Sequence, residues 1–379
     1  MSLSAATLDP IFTPTRLTMP KKRKPANSVE ADLLEDLRRK GAQSDVLDAR
    51  LEHSELEGIR RYIADMAERS RIYPLMLPTA QSGGRWSTTK PPLTNWPRHD
   101  VSTCQLDHDV PWCPRDVRGV LVPDPGTYWL KFDWEAVEAR LAALYCQDAD
   151  DLRAFRDNLD IHTLTACRMF GLELPPVQTK HLHTAPEVGA WRDRYKWGGT
   201  EDARRHMAKT ARYALLYAED HRGILNAKGV EKLGYTRKEL EEFGRAYLRA
   251  KPAFVAAKSA AQADCGRTGL ARSGFGRLRR LHGDLRARAK EGWSHIISST
   301  VSDMMNKTLI GIHGTIPACW LVVNRHDGAE VGFPAAVSLS DSVTALRALA
   351  ERTWVFWGHT FSCPATWALV RPDGSTEKV

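Results

Sequence analysis

Apolar and polar positions along the 379-residue chain follow two rhythms, one helical and one of strands. From residue 29 to 70 the period is helical: "SVEADLLEDL" starts with Ser28 as a candidate cap, and Leu33, Leu34 and Leu37 share a face. Periodicity stops over residues 74 to 100, where Pro, Gly, Ser and Thr predict a loop. Strand composition returns over 117 to 132, ending in the aromatic run "GTYWLKF". Helical spacing then covers 133 to 170, with Val137, Leu141 and Leu144 on one face. A Pro- and Trp-containing connection over 172 to 200 leads into a mostly helical stretch, 201 to 262. A Gly- and Arg-rich segment at 266 to 283 precedes a helix over 285 to 312. "WLVVN" and "AEVGFP" read as two strands joined at "RHDG", and a helix near 340 to 353 with a strand-rich end closes the chain. No internal repeat is present.

Two acids interrupt this pattern. Asp133 falls between an apolar strand and an apolar helix, although Asp is a poor strand residue and is rarely buried unpaired. On pattern alone, a helix N-cap is the favoured account, because Asp prefers that place. Asp327 stands at or beside the tip of the predicted "VNRHDG" hairpin, where Asp-Gly is also an ordinary turn signal. If one sheet holds both, their carboxylates repel unless a cation lies between them. Magnesium is the fitting cation, being oxygen-ligated and commonly held by one or two carboxylates together with substrate phosphates. Such a site suits in-line phosphoryl transfer, in a nuclease or in a polymerase.

Composition narrows the class. Hydrophobic residues are 42% and charged residues 26%, which is globular. No run of about 18 apolar residues or secretory signal is apparent, so neither a membrane nor an exported protein is expected. The seven cysteines are scattered without a Cys-x-x-Cys pair, which fits a reducing compartment. Cys104, His108 and Cys113 could be zinc ligands but lack a fourth at a usual spacing. The net charge is +8, and residues 201 to 290 hold 21 Lys and Arg against 10 Asp and Glu. The rest of the chain is slightly acidic, so one segment carries the excess and predicts a polyanion site; a solvated helical surface is the plainer alternative. Within it, Arg205, Lys209, Tyr213 and Tyr217 follow at i, i+4 steps and form one stripe on a helix. Two cations followed by two aromatics suit a nucleotide, with phosphates on the cations and bases or sugars on the rings. An amphipathic helix with core tyrosines would show the same spacing.

Six segments, taken in order over about residues 83 to 333, resemble the family A (DNA polymerase I) polymerases. "GGRWSTTKPPLTNWP" is similar to the family's Thr-Gly-Arg-x-Ser-Ser segment with its Asn-Leu-Gln-Asn-x-Pro continuation. "FDWEAVEARLAAL" resembles motif A, "DIHTLTACRMFG" the Asp-Ile-His-Thr-x-Thr-Ala segment, and "RHMAKTARYALLYA" motif B. "GLARSGFGRLRRL" resembles the Phe-Gly-Arg-Arg-Arg segment, and "VNRHDG" motif C. The resemblance implies an α+β right-hand polymerase with an antiparallel palm sheet, helical fingers and a reduced thumb. It implies a template-directed DNA polymerase acting on primer-template DNA and dNTPs with two Mg2+ ions.

Residue by residue, the resemblance gives Asp133, Asp327 and the backbone carbonyl of Trp134 to the metals. Arg205 and Lys209 would take the triphosphate, and His162 the β-phosphate region. Tyr213 would pack on the incoming sugar and base, a Tyr there resembling the variant that tolerates dideoxynucleotides. Tyr217 would stack at the templating position, and Glu138 would crowd the sugar 2′ position and exclude ribonucleotides. Arg85, Asn95, Arg277 and Arg279 would contact the DNA backbone, and His326 the primer terminus.

The sequence also departs from the family. Gly328 replaces the motif C Glu, Ser298 stands where a Gln is usual, and Arg212 and Ala218 replace a frequent Asn and Gly in motif B. Fewer than 85 residues precede the Arg85 segment, so the expectation is no proofreading domain, low processivity and an accessory subunit to assist. The expected organisation is a flexible basic arm at 1–28, a helical thumb remnant and entry loop at 29–100, palm at 101–154, fingers at 155–250 and palm again at 251–379. A cytoplasmic protein of a bacterial or phage-infected cell is expected, with nuclear import an alternative because of "PKKRK" at 20–24. An inactive DNA-binding remnant, one subunit of a split polymerase and a metal-dependent nuclease are the competing functions.

Overall fold

Strand β3, Thr127–Trp134, alternates Tyr128, Leu130, Phe132 and Trp134 into the core with half-buried residues facing the other way. It lies in the middle of a five-stranded sheet. In this computed structural model the described residues are 71–78, 81–89, 93, 121–180, 182–199, 202–226 and 235–379. They all belong to a compact unit, Ile59–Val379; the other unit, Met1–Gly58, lies outside the described residues. So do the arm, the 29–70 helix, the "PKKRK" run, Asn95 and the Cys104–His108–Cys113 group.

A short hairpin, β1 (Leu75–Leu77) with β2 (Ser87–Thr89), precedes β3. Three helices follow β3: α1 (Val137–Cys146), α2 (Ala149–Arg156) and α3 (Ile161–Phe170). The predicted connection contains a further helix, α4 (Gly189–Tyr195). Next come α5 (Ala203–Tyr217), α6 (Arg237–Arg249) and α7 (Pro252–Thr268). The Gly- and Arg-rich segment folds as the hairpin β4 (Leu270–Arg272) and β5 (Leu278–Arg280). Helix α8 runs Leu285–Thr315, three residues beyond its expected end. The strands β6 (Trp320–Asn324) and β7 (Gly328–Pro334) are joined as expected, and α9 spans Leu339–Ala350. The strand-rich end contains β8 (Trp354–Phe356), β9 (His359–Phe361), β10 (Ala365–Val370) and β11 (Thr376–Lys378).

The sheet order is β11-β10-β3-β7-β6, antiparallel throughout. The C-terminal residues therefore complete the sheet: β10 pairs along β3, with Thr366 opposite Asp133. One apolar core joins Leu130 and Phe132 of the sheet to Phe254 and Cys265 of α7 and to Trp293, Ile297, Val301 and Met304 of α8. Helices α3 to α6 gather around two smaller cores, one on Trp191 and Trp197, the other on Met207, Leu215 and Tyr247. This is an α+β fold with an antiparallel sheet and a separate helical layer, as expected.

Candidate active site

The two acids meet at one end of the sheet: Asp133 lies in β3, and Asp327 is the turn residue directly before β7. Asp133 pairs in register with Gly328, the residue after Asp327, and the Trp134 N–H donates to the Asp327 carbonyl at 2.8 Å. Their strand ends are thus locked side by side. Asp133 is not a helix cap. Ala136 caps α1, with φ 51° and no side-chain capping bond, so Asp133 stays within the strand. The hairpin tip is tight: Arg325 N–H donates to the Gly328 carbonyl at 2.8 Å, and Asp327 N–H to the Arg325 carbonyl at 3.0 Å. His326 takes φ 73°, held by its N–H on Asn324 Oδ1 at 3.0 Å. Gly328 is required by the closeness of β3. A Cβ there would lie 2.3 Å from the Phe132 carbonyl oxygen and 3.0 Å from Asp133 Oδ1. The family's Glu therefore has no room in this backbone.

Glu138, on the first turn of α1, faces the same place. Its carboxylate accepts from Arg85 Nη2. Burial raises its pKa; Arg85 opposes the rise and the nearby Asp327 charge adds to it. The Tyr217 hydroxyl is buried against Glu138 with less than full hydrogen-bond geometry, and its pKa is well above the usual value, through burial and then the Glu138 charge. Tyr213 is 43% exposed; burial of its hydroxyl, Glu138 and Asp327 also raise its pKa, while Arg212 opposes them. Asp133, Asp327, Glu138, Arg85, Tyr213 and Tyr217 are thus brought together from four separate parts of the chain.

The phosphate side of the stripe is built on Asp160, which caps α3. Asp160 Oδ1 accepts the N–H groups of His162 and Thr163, each at 3.1 Å. Its Oδ2 accepts His183 Nε2 at 2.7 Å and Arg205 Nε at 2.9 Å. Burial alone would raise this carboxyl, but Arg205, His183 and the Thr163 N–H outweigh it and hold the pKa down at about 2. His162 lies 6.2 Å from Tyr213, ring to ring. Burial, then the charges of Arg212 and Arg205, push its imidazole down to about 3, so it is neutral at pH 7. Lys209 is exposed, and among the described residues it has no ion-pair partner. Arg277 Nε donates to Asp303 at 2.8 Å, and Arg279 pairs with Glu291.

Sequence reasoning missed several supporting residues. Arg212 is buried and grips Asp151 with both nitrogens, at 2.5 and 3.2 Å, and donates to Thr165 Oγ1 at 3.0 Å. Lys251 joins the same Asp151 and lies 3.6 Å from Asp148. Burial would raise Asp151; Arg212 and then Lys251 bring it to about 2. No local pattern announces this cluster, because its members lie on α2, α5 and the α6–α7 junction. Asp160 did have a signal, an Asp directly before an apolar helix, but not its partners.

The donor set at Asp133, Asp327 and the Trp134 carbonyl is oxygen only, which fits a hard cation such as Mg2+ rather than a thiolate- or imidazole-ligated metal. Among the described residues no three His, Cys, Asp or Glu side chains form a ready metal cluster. Two acids with substrate phosphates could complete such a site.

A family model described as DNA polymerase family A matches residues 4–327. DNA polymerase I of Lactococcus lactis subsp. cremoris is 27% identical over 247 residues, covering 64% of this chain and 24% of that protein. The thermostable DNA polymerase I of Thermus filiformis is 27% identical over 301 residues, covering 75% and 31%. The chain thus spans about a quarter to a third of the length of these curated relatives. Among solved structures, the POL domain of Pol1 from M. smegmatis, in complex with DNA primer-template and dNTP, superposes with a TM-score of 0.69. It is 18% identical and covers 94% of this chain and 59% of that one, a likeness of fold. Among the described residues no helix is long and apolar enough to cross a membrane.

Proposed function

The chain belongs to DNA polymerase family A, and from that premise we propose that it is a template-directed DNA polymerase adding deoxynucleotides to a primer 3′-hydroxyl. The observation that carries the proposal is the register of Asp133 opposite Gly328, which brings it beside Asp327 at the turn before β7, with Tyr213 and Glu138 near Asp327. Asp133, Asp327 and the Trp134 carbonyl would hold two Mg2+ ions, whose chemistry when bound is to acidify the primer hydroxyl and offset charge on the triphosphate. Arg205 and Lys209 would bind the triphosphate, with the Asp160 carboxylate fixing the Arg205 side chain through its Nε. Neutral His162 would donate a hydrogen bond to the phosphates. Tyr213 would pack on the incoming sugar and base, and Tyr217 at the templating position. Glu138, held between Arg85 and Tyr217, would exclude a 2′-hydroxyl. Arg85, Arg277 and Arg279 each pair with a carboxylate, and would exchange it for DNA phosphates on binding. His326, at the tip beside Asp327, would meet the primer terminus, and Asn95 the DNA backbone.

On this reading residues 101–154 and 251–379 are two parts of the palm and 155–250 the fingers, while an accessory subunit would raise processivity. The test is single-nucleotide addition to a labelled primer. Addition should follow the template base, switching nucleotide when that base is switched. On this reading a mispaired primer end should persist rather than be trimmed. Shortening of the primer, or addition indifferent to the template, would refute the proposal.

A further inference from the structure

Helix α5 carries the nucleotide stripe on one side. Its C-terminal end, on the other side, is held by two buried side chains from the neighbouring long helices. Lys258 of α7 donates from Nζ to the carbonyls of Leu215 at 2.8 Å and Ala218 at 2.6 Å. Trp293 of α8 donates from Nε1 to the Leu216 carbonyl at 2.6 Å. The end of a helix leaves its last carbonyls without helical partners, and here three of them are satisfied by these two side chains. Lys258 is 6% exposed and Trp293 fully buried, and the Lys258 ammonium lies over the rings of Phe254 and Trp293 at 5.2 and 6.0 Å.

The placement singles out one residue. Leu216 and Ala218 flank Tyr217, so the backbone on each side of Tyr217 is fastened. The chain just beyond it approaches Gly223 closely, where a Cβ would lie 2.0 Å from Ala218 Cβ. Tyr217 in turn presses its hydroxyl against Glu138. We infer that Lys258 and Trp293 are positioning residues that clamp the backbone on both sides of Tyr217, and so set how firmly Tyr217 and Glu138 discriminate the sugar of the incoming nucleotide. This rests on the reading of Glu138 as the sugar-excluding residue. Burial pulls the Lys258 pKa down to about 8, which leaves the side chain mostly charged at neutral pH, the state that complements a helix C-terminus.

A merely structural role would lower stability and leave discrimination alone. The experiment therefore reads a ratio: the Kd for matched rNTP over that for matched dNTP. It is measured on the full chain bound to a primer-template with a dideoxy-terminated primer, so that no chemistry is needed. The variants are Lys258→Met, which keeps the apolar stem and leaves two buried carbonyls unsatisfied, and Trp293→Phe, which keeps a ring and removes one donor. Lys258→Arg restores N–H donors. We expect the ratio to fall about tenfold in Lys258→Met, or ~1.4 kcal/mol, to fall less in Trp293→Phe, and to recover in part in Lys258→Arg. A ratio within twofold of wild type in both Lys258→Met and Trp293→Phe, at melting temperatures that confirm folding, overturns the clamp. Glu138→Ala separates the two ideas. If it abolishes the preference while both clamp variants keep it, the clamp alone is wrong. A preference that survives Glu138→Ala removes the sugar-excluding reading, and the clamp's effect with it.

Discussion

Gly328→Ala adds one methyl group at the closest approach of the two acidic strands. The new Cβ would lie 2.3 Å from the Phe132 carbonyl oxygen and 3.1 Å from Asp133 Cα. An ordinary carbon–oxygen contact is about 3.3 Å or more, so β7 must withdraw from β3 by about 1 Å. That displacement falls at the register pair Asp133–Gly328 and on the 2.8 Å bond from Trp134 N–H to the Asp327 carbonyl. Overpacking of this kind costs about 1–3 kcal/mol, which an ordinary domain survives. Chemistry is less forgiving: a 1 Å misplacement of reacting groups costs about 10²-fold. We therefore expect Gly328→Ala to stay folded and bind DNA but to incorporate a saturating matched dNTP about 10²-fold more slowly in single turnover. Gly328→Glu, which restores the residue usual in the family, should be at least as slow. Incorporation by Gly328→Ala within threefold of wild type, with unchanged melting, would refute the crowding argument.

Other substitutions test the supporting residues. Asp160→Asn removes the charge that holds Arg205, so the Kd for dNTP should rise about tenfold, in line with ~1.5 kcal/mol for a hydrogen bond to a charged group; an unchanged Kd would detach Asp160 from the nucleotide side. The same carboxyl gives a pH signature. Its folded pKa, about 2, lies below the usual carboxyl value of 3.8, so its contribution is fully present above about pH 4 and is lost as pH falls toward 2. That loss is about 2 kcal/mol, and acid titration of unfolding should be flatter over this window in Asp160→Asn. Arg212→Ala leaves buried Asp151 with Lys251 alone and should cost ~3–5 kcal/mol in denaturant unfolding. Arg212→Leu combined with Asp151→Leu and Lys251→Met, which removes all three buried charges together, should recover much of it, and a single-variant cost under about 1 kcal/mol would mean the pair is not a tether.

Much of the fold is legible in the chain because its signals are local. Alternation in "TYWLKFDW" gives a half-buried strand, and the apolar spacing of α8 gives a helix correct to within three residues at its end. The acids were legible as strand-end anomalies, and the stripe from Arg205 to Tyr217 proved to be one helix. What stayed hidden depends on pairing across distance. The place of β10 beside β3 brings Thr366 opposite Asp133, yet nothing in "ATWALV" names its neighbour. The cap reading of Asp133 failed because Ala136 adopts a left-handed turn that an Ala does not advertise. Arg212, Lys251 and Lys258 look in sequence like surface cations and are buried, because each meets a carboxylate or a helix-end carbonyl supplied by another element. Arg277 and Arg279, expected at the DNA backbone, each pair with an acid of α8, which the sequence alone does not reveal.

The central claim is that Asp133 and Asp327 together form the reacting centre of a template-directed polymerase. The most direct measurement is extension of a labelled primer-template with Mg2+ and each dNTP singly, comparing wild type with Asp133→Ala and Asp327→Ala at equal DNA occupancy. We expect wild type to add only the template-matched nucleotide, and each variant to lose at least about 10²-fold while still binding DNA. Template-matched addition that persists in either variant would contradict the claim.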